Sequence, residues 1–159
     1  GGPVIEKKAQ LGNPSAYRFP RAFLEKGSLD FSFSGLKTSV RNMIAKRREN
    51  KGPILSDEDI SAGFQEAVVE VLTSKLILAC KKERLNRVVV TGGVAANRAL
   101  RERVIRESEK YQIKASFPDP IFCTDNAAMI ACAGYYKCHN NTPSLKNILN
   151  QDANSMLKL

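Results

Sequence analysis

The sequence is poor in metal ligands and in long apolar runs, and each scarcity excludes something. Its 159 residues hold one histidine, His139, set in a polar, Asn-rich stretch. That residue is expected at the surface rather than on a metal. Four cysteines, Cys80, Cys123, Cys132 and Cys138, show no CxxC spacing. A zinc site or a disulfide framework is therefore a poor fit, and reduced thiols in a cytoplasmic setting fit better. The longest apolar run, Ala127 to Tyr136, is ten residues and contains Gly134; a membrane-spanning helix needs about 20. GxGxxG, the P-loop and HExxH are all missing, and with HExxH goes the support for a metalloprotease. The chain shows no internal repeat. It opens on Gly1-Gly2-Pro3 without an initiator Met, which suggests a piece of something longer.

What is present begins with charge. Lys and Arg number 25 against 16 Asp and Glu, a formal net charge of +9, which favours an anionic partner such as nucleic acid or nucleotide. A solvated basic surface explains the same number. The most informative stretch is Arg87 to Val104. Val88, Val89 and Val90 are consecutive and β-branched, as in a short strand buried on both faces. Gly92 and Gly93 follow, then Ala95 to Arg101 as a helix opening. A strand, a glycine turn and a helix start offer backbone N–H groups to an anion, usually phosphate. A tight structural turn accounts for the pattern equally well.

Elsewhere the chain predicts more helix than strand. Val4, Ile5 and Ala9 outline a short helix, with Glu6 either a solvated carboxylate or an acceptor for ribose hydroxyls. Arg18 and Arg21 interleave with Tyr17, Phe19 and Phe23, a thin hint of an RNA-facing loop. Leu29 to Ser34 alternates with period two and predicts a strand ended by Gly35, with Leu29, Phe31 and Phe33 inward. Leu36, Val40, Met43 and Ile44 recur at helical spacing. Lys37, Arg41, Lys46, Arg47 and Arg48 lie on or near the other side, as a solvated face or a phosphate-contacting one. Ser56 with Asp59 forms a capping box opening a helix to about Arg84, with Gln65 and Glu66 as plain polar positions. A strand is expected over 113–117, broken by Pro118-Asp119-Pro120. Thr124 is then a natural N-cap, placing Asp125 in a helix's first turn, either to complement the dipole or to face a metal.

Five segments in order, GGP-x-I-E, LDFSFSGLKT, FQEAVVEVL, VVVTGGVAANRALR and CTDNAAMIA, resemble the C-terminal part of the tRNA threonylcarbamoyladenosine transferase family. Its bacterial members are called TsaD, and an older name is O-sialoglycoprotein endopeptidase or glycoprotease. The resemblance covers residues 1 to 138 and leaves 139–159 as a polar C-terminal tail. It implies an α/β lobe of the actin-like/hexokinase-like ATPase fold, with a small sheet and more helix than strand. It implies transfer of a threonylcarbamoyl group from threonylcarbamoyl-adenylate to the adenosine 3′ of the anticodon, in tRNAs reading codons that start with A. The family's adenylate or ATP positions fall on Gly2, Glu6 and Asn97, with Gly92 and Gly93 near the phosphates. Its metal-binding aspartate falls on Asp125. The metal, iron or zinc at one ion per subunit, also takes two histidines of an HxxxH motif that this sequence lacks. No catalytic side chain is assigned. Partners implied are tRNA, a paralogous actin-like subunit and an ATPase subunit, with no membrane and a cytoplasmic location. The chain alone is expected to be inactive. A nucleotide- or RNA-binding module without catalysis stays open as the alternative.

Overall fold

The computed structural model describes residues 1–22 and 27–140. Five α-helices are present among them: α1 (Gly2–Ala9), α2 (Ser34–Arg48), α3 (Asp57–Lys82), α4 (Arg98–Glu109) and α5 (Ala127–Asn140). Two strands, β1 (Arg87–Val89) and β2 (Lys114–Ser116), and two 3-10 turns, Gly93–Ala96 and Pro120–Phe122, complete the order. Phe23, the tail beyond Asn140 and the expectation placed on each lie outside the described residues.

The 26-residue α3 is the spine. Its start is local chemistry: Ser56 Oγ accepts from Asp59 N at 3.0 Å, and Asp59 Oδ2 accepts from Ser56 N at 3.4 Å. Asp57, Glu58 and Asp59 sit at the positive end of the helix dipole and Lys81 and Lys82 at the negative end. Its stop is local too. Arg84 adopts φ 55°, Arg84 N donates to Lys81 O, and Leu85 N to Cys80 O at 2.8 Å. This is a Schellman end, with arginine at the position glycine usually takes.

Three apolar clusters lie along α3. Near its start Ile60 and Ala67 pack with Phe19, Leu36 and Met43. At its middle Val69 meets Leu100 and Val104 of α4. Near its end Ile77 and Cys80 meet Ile113, and burial pushes the Cys80 thiol above its ordinary pKa. The first cluster requires a close approach. A Cβ on Gly63 would lie 2.7 Å from the Tyr17 carbonyl oxygen and 3.3 Å from the Phe19 ring, so only glycine lets that loop lie against the helix.

β1 and β2 are parallel, with Arg87 opposite Lys114 and Val89 opposite Ser116, and α4 is the crossover between them. The unit is thus α/β, mostly helical, with a two-stranded parallel sheet. Both strands fall where expected but are shorter. The expectation that β1 is buried on both faces fails, because Val89 is 71% exposed: α4 covers one face of the sheet and nothing described covers the other. The expected strand over 29–34 is also absent. Ser28 Oγ accepts from Asp30 N, and Ser32 Oγ bonds Ser34 Oγ and Ser34 N. Serine side chains here satisfy the backbone locally in place of a ladder. Gly35 lies inside α2 rather than ending a strand, and Phe31 is 48% exposed.

Candidate nucleotide site

Past β1 the chain enters the glycine turn. Gly92 takes φ 92°, a conformation that side-chain-bearing residues rarely adopt. Ala95 N then donates to Gly92 O at 2.8 Å and Asn97 N to Val94 O at 3.0 Å, closing a 3-10 turn. The helix expected from Ala95 is this turn followed by α4, which starts at Arg98. A Cβ on Gly92 or Gly93 would meet nothing within 4 Å. Among the described residues nothing accepts from the N–H groups of these two glycines. The turn therefore presents free donors on an open face.

Asn97 caps α4. Its Oδ1 accepts from Leu100 N at 2.9 Å, and its Nδ2 donates to Gln65 Oε1 on α3 at 2.8 Å. Glu6 reaches the same point from α1, where its Oε1 accepts from Arg98 N at 2.8 Å, across 92 residues of sequence. Side chains thus satisfy two of the N–H groups that a helix start leaves unpaired, and a carboxylate stands at the positive end of the dipole. The structure brings Glu6, Asn97 and the glycine turn together; Gly2 lies one turn ahead of Glu6 on the same side of α1. One oxygen of Glu6, and the Asn97 oxygen with one of its two amide hydrogens, hold the helix start. Gln65 and Glu66 are more than plain polar positions: Gln65 orients Asn97, and Glu66 pairs with Arg103 at 3.0 Å. Sequence carries no sign of this, because the partners lie on a different helix.

Arg101, one turn into α4, ties the glycine turn to the segment ahead of α5. It donates through Nε to Ala95 O at 2.5 Å and through Nη2 to Pro118 O at 2.6 Å. Asp125 follows that segment, but not where expected. The cap of α5 is Asn126, whose Oδ1 accepts from Met129 N at 3.0 Å; Thr124 is not the cap, and Asp125 lies in a bend outside the helix, exposed. Among the described residues no group of three His, Cys, Asp or Glu could hold a metal. The cysteines are free, and His139 is exposed and stacked on Tyr135.

The basic segments divide. In the aromatic loop Phe19 is core, 1% exposed, and Arg21 pairs with Glu70 at 2.7 Å while donating to Phe19 O, whereas Arg18 is exposed. On α2, Arg47 bonds Asp57 and Leu55 O, whereas Lys37, Arg41 and Arg48 line an exposed groove with Val40, Ile44 and Ala45. No described helix is long and apolar enough to cross a membrane.

The family model for tRNA N6-adenosine threonylcarbamoyltransferase matches residues 1–132. A protein of that name from Desulfitobacterium hafniense (strain Y51) is 53% identical over 137 residues, covering 86% of this chain and 40% of the relative. One from Clostridium perfringens (strain SM101 / Type A) is 50% identical over the same length and coverage. One from Clostridioides difficile (strain 630) is 47% identical over 156 residues, covering 92% of this chain and 46% of the relative. The chain thus spans less than half the length of these curated relatives.

Proposed function

The chain belongs to the tRNA N6-adenosine threonylcarbamoyltransferase family, and from that membership we propose that it forms the nucleotide-binding side of such an enzyme, as one lobe of an actin-like fold. The reaction we assign moves a threonylcarbamoyl group from threonylcarbamoyl-adenylate to the N6 amine of the adenosine 3′ of the tRNA anticodon. The amine attacks the carbamoyl carbonyl carbon, the bond from that carbon to the phosphate oxygen breaks, AMP leaves, and the amine proton passes to solvent. No covalent intermediate on this chain is required.

Each residue has a physical task in this proposal. Gly92 and Gly93 let phosphate oxygens reach backbone N–H groups at a helix start. Glu6 keeps a second carboxylate oxygen for ribose hydroxyls, and Asn97 keeps a second amide hydrogen for the adenylate. Gly2 leaves room beside them. Asp125 is assigned as this chain's ligand to one iron or zinc ion. A tightly bound transition metal takes about three or four protein ligands, which the described residues do not supply, so no step is routed through it. For the same reason the 159 residues alone are assigned no transfer activity.

The observation that carries the proposal is the meeting of Glu6, Asn97 and the glycine turn at the start of α4. The test is made on the full-length protein together with a paralogous actin-like subunit and an ATPase subunit, given threonylcarbamoyl-adenylate and tRNA, reading modified adenosine by mass spectrometry. Wild type is expected to form it, and Asn97→Ala to weaken adenylate binding by about 5- to 150-fold, the equivalent of losing one paired polar group at about 1–3 kcal/mol. Absence of modified adenosine from wild type, or unchanged adenylate affinity in Asn97→Ala, overturns it.

A further inference from the structure

We infer that Arg101 is a positioning residue that sets the glycine turn for phosphate, by clamping the turn's carbonyl side to the loop between β2 and α5. The inference rests on the nucleotide assignment just proposed for that turn.

One guanidinium serves two segments that are distant in sequence. It donates to Ala95 O of the glycine turn at 2.5 Å, and to Pro118 O at 2.6 Å and Cys123 Sγ at 3.1 Å across the gap. The Phe117 ring stands under it, with 5.0 Å from the guanidinium carbon to the ring centroid. The turn of α4 that carries it is held by Leu100 and Val104, both buried in a cluster with Val69 of α3. Cys123 is itself buried.

Two features separate this arginine from a general structural tie. First, its acceptors are two neutral carbonyls and a thiol. Arg21, Arg47, Arg98 and Arg103 each pair with a carboxylate, and among the described residues Arg101 has no such pair. Its positive charge is left uncancelled beside the turn, where it adds to the dipole at the start of α4 in favouring an anion. Second, it engages a carbonyl of the turn while the N–H groups of Gly92 and Gly93 stay free. With Ala95 O held by the guanidinium, that carbonyl dipole cannot rotate toward an incoming phosphate and repel it. Lysine lacks the planar fork whose Nε and Nη2 engage Ala95 O and Pro118 O from one rigid group.

The experiment compares ATP with adenosine as probes, by calorimetry on the full-length protein. Their affinity ratio isolates the phosphate contribution, which a defect in overall folding lowers for both ligands alike. In wild type ATP should bind more tightly than adenosine. In Arg101→Lys and Arg101→Gln the ATP affinity should fall about tenfold or more, the scale of one charge-assisted hydrogen bond, with adenosine affinity within about twofold and KM for tRNA unchanged. If Arg101→Gln does not fold, Cys123→Ala, which removes one acceptor and leaves α4 intact, should give the same selective loss at smaller size. Parallel losses for ATP and adenosine, or no loss in Arg101→Lys and Cys123→Ala, overturn the role of Arg101 and leave the nucleotide site standing. If wild type binds ATP no better than adenosine, the phosphate assignment of the turn fails, and the inference falls with it.

Discussion

Helices α4 and α5 both start on a capping asparagine, and the two starts could hardly differ more in what surrounds them. Asn97 Oδ1 accepts from Leu100 N and Asn126 Oδ1 from Met129 N, at 2.9 and 3.0 Å. The Asn97 amide then crosses to Gln65 on another helix, and Glu6 arrives from a third. The Asn126 amide turns back on its own segment, to Thr124 O at 2.8 Å. Behind Asn97 stand the buried Leu100 and Val104, whereas every residue of α5 from 127 to 139 is exposed. A cap fixes where a helix begins; only packing and cross-helix bonds fix where the helix sits.

The sharpest way to break this contrast is in the apolar positions. Leu100→Ala should cost about 2–5 kcal/mol in denaturant unfolding, while Met129→Ala should stay within about 0.5 kcal/mol. Similar costs at both would show that α5 is covered in solution. The caps come next. Asn97→Ala should cost about 1–3 kcal/mol because Gln65 loses its partner too, and Asn126→Ala about 0.5–1 kcal/mol as a cap alone. Equal values would mean that the bond to Gln65 adds nothing.

The same distinction between tied and untied groups divides the cations of α2. If the proposed tRNA substrate lies along α2, replacing Lys37, Arg41 and Arg48 together by Gln in the full-length protein should lower the salt slope of its binding by roughly 1 for each phosphate that is no longer neutralised. Arg47→Gln, whose partner is Asp57, should leave the slope alone. Coincident binding curves for the triple variant and wild type would mark that face as merely solvated. The smallest effect concerns the helix start of α3. Hydrogen bonds from Lys8 and then Arg47 lower the Asp57 pKa from 3.8 to about 2. A pKa depressed on folding stabilises above the unfolded value, and that contribution is lost as pH falls from about 4 toward 2. Stability curves of wild type and Asp57→Asn should therefore converge through that window. If they stay parallel, the exposed pairs contribute nothing.

What sequence disclosed was local. The Ser56–Asp59 capping box, the helical spacing of α2 and the glycine turn each lie within a few residues, and each forms as expected. Glu6 and Asn97 stood out through their motifs, yet nothing in either motif indicated that they meet at one helix start. The alternation over 29–34 misled because a period of two needs a partner strand, while the serines there offered local bonds instead. Thr124 and Asn126 are both good caps within three residues, and only the full backbone path selects between them. Arg18 and Arg21 among Tyr17, Phe19 and Phe23 gave a thin hint of an RNA-facing loop, but the core near Gly63 claims the Phe19 ring and Glu70 the Arg21 charge, which leaves Arg18 exposed.

The three apolar clusters strung along α3 imply a hierarchy in time. All three share one rod, and Leu76 packs against both the middle and the end cluster, so none can open fully without disturbing helix backbone that another is holding. Amide hydrogens at the middle of α3, near Val69 and Val71, are flanked by two clusters and should exchange with solvent only when the whole unit unfolds. Amides of α5 need only fray their own helix, and should exchange orders of magnitude sooner.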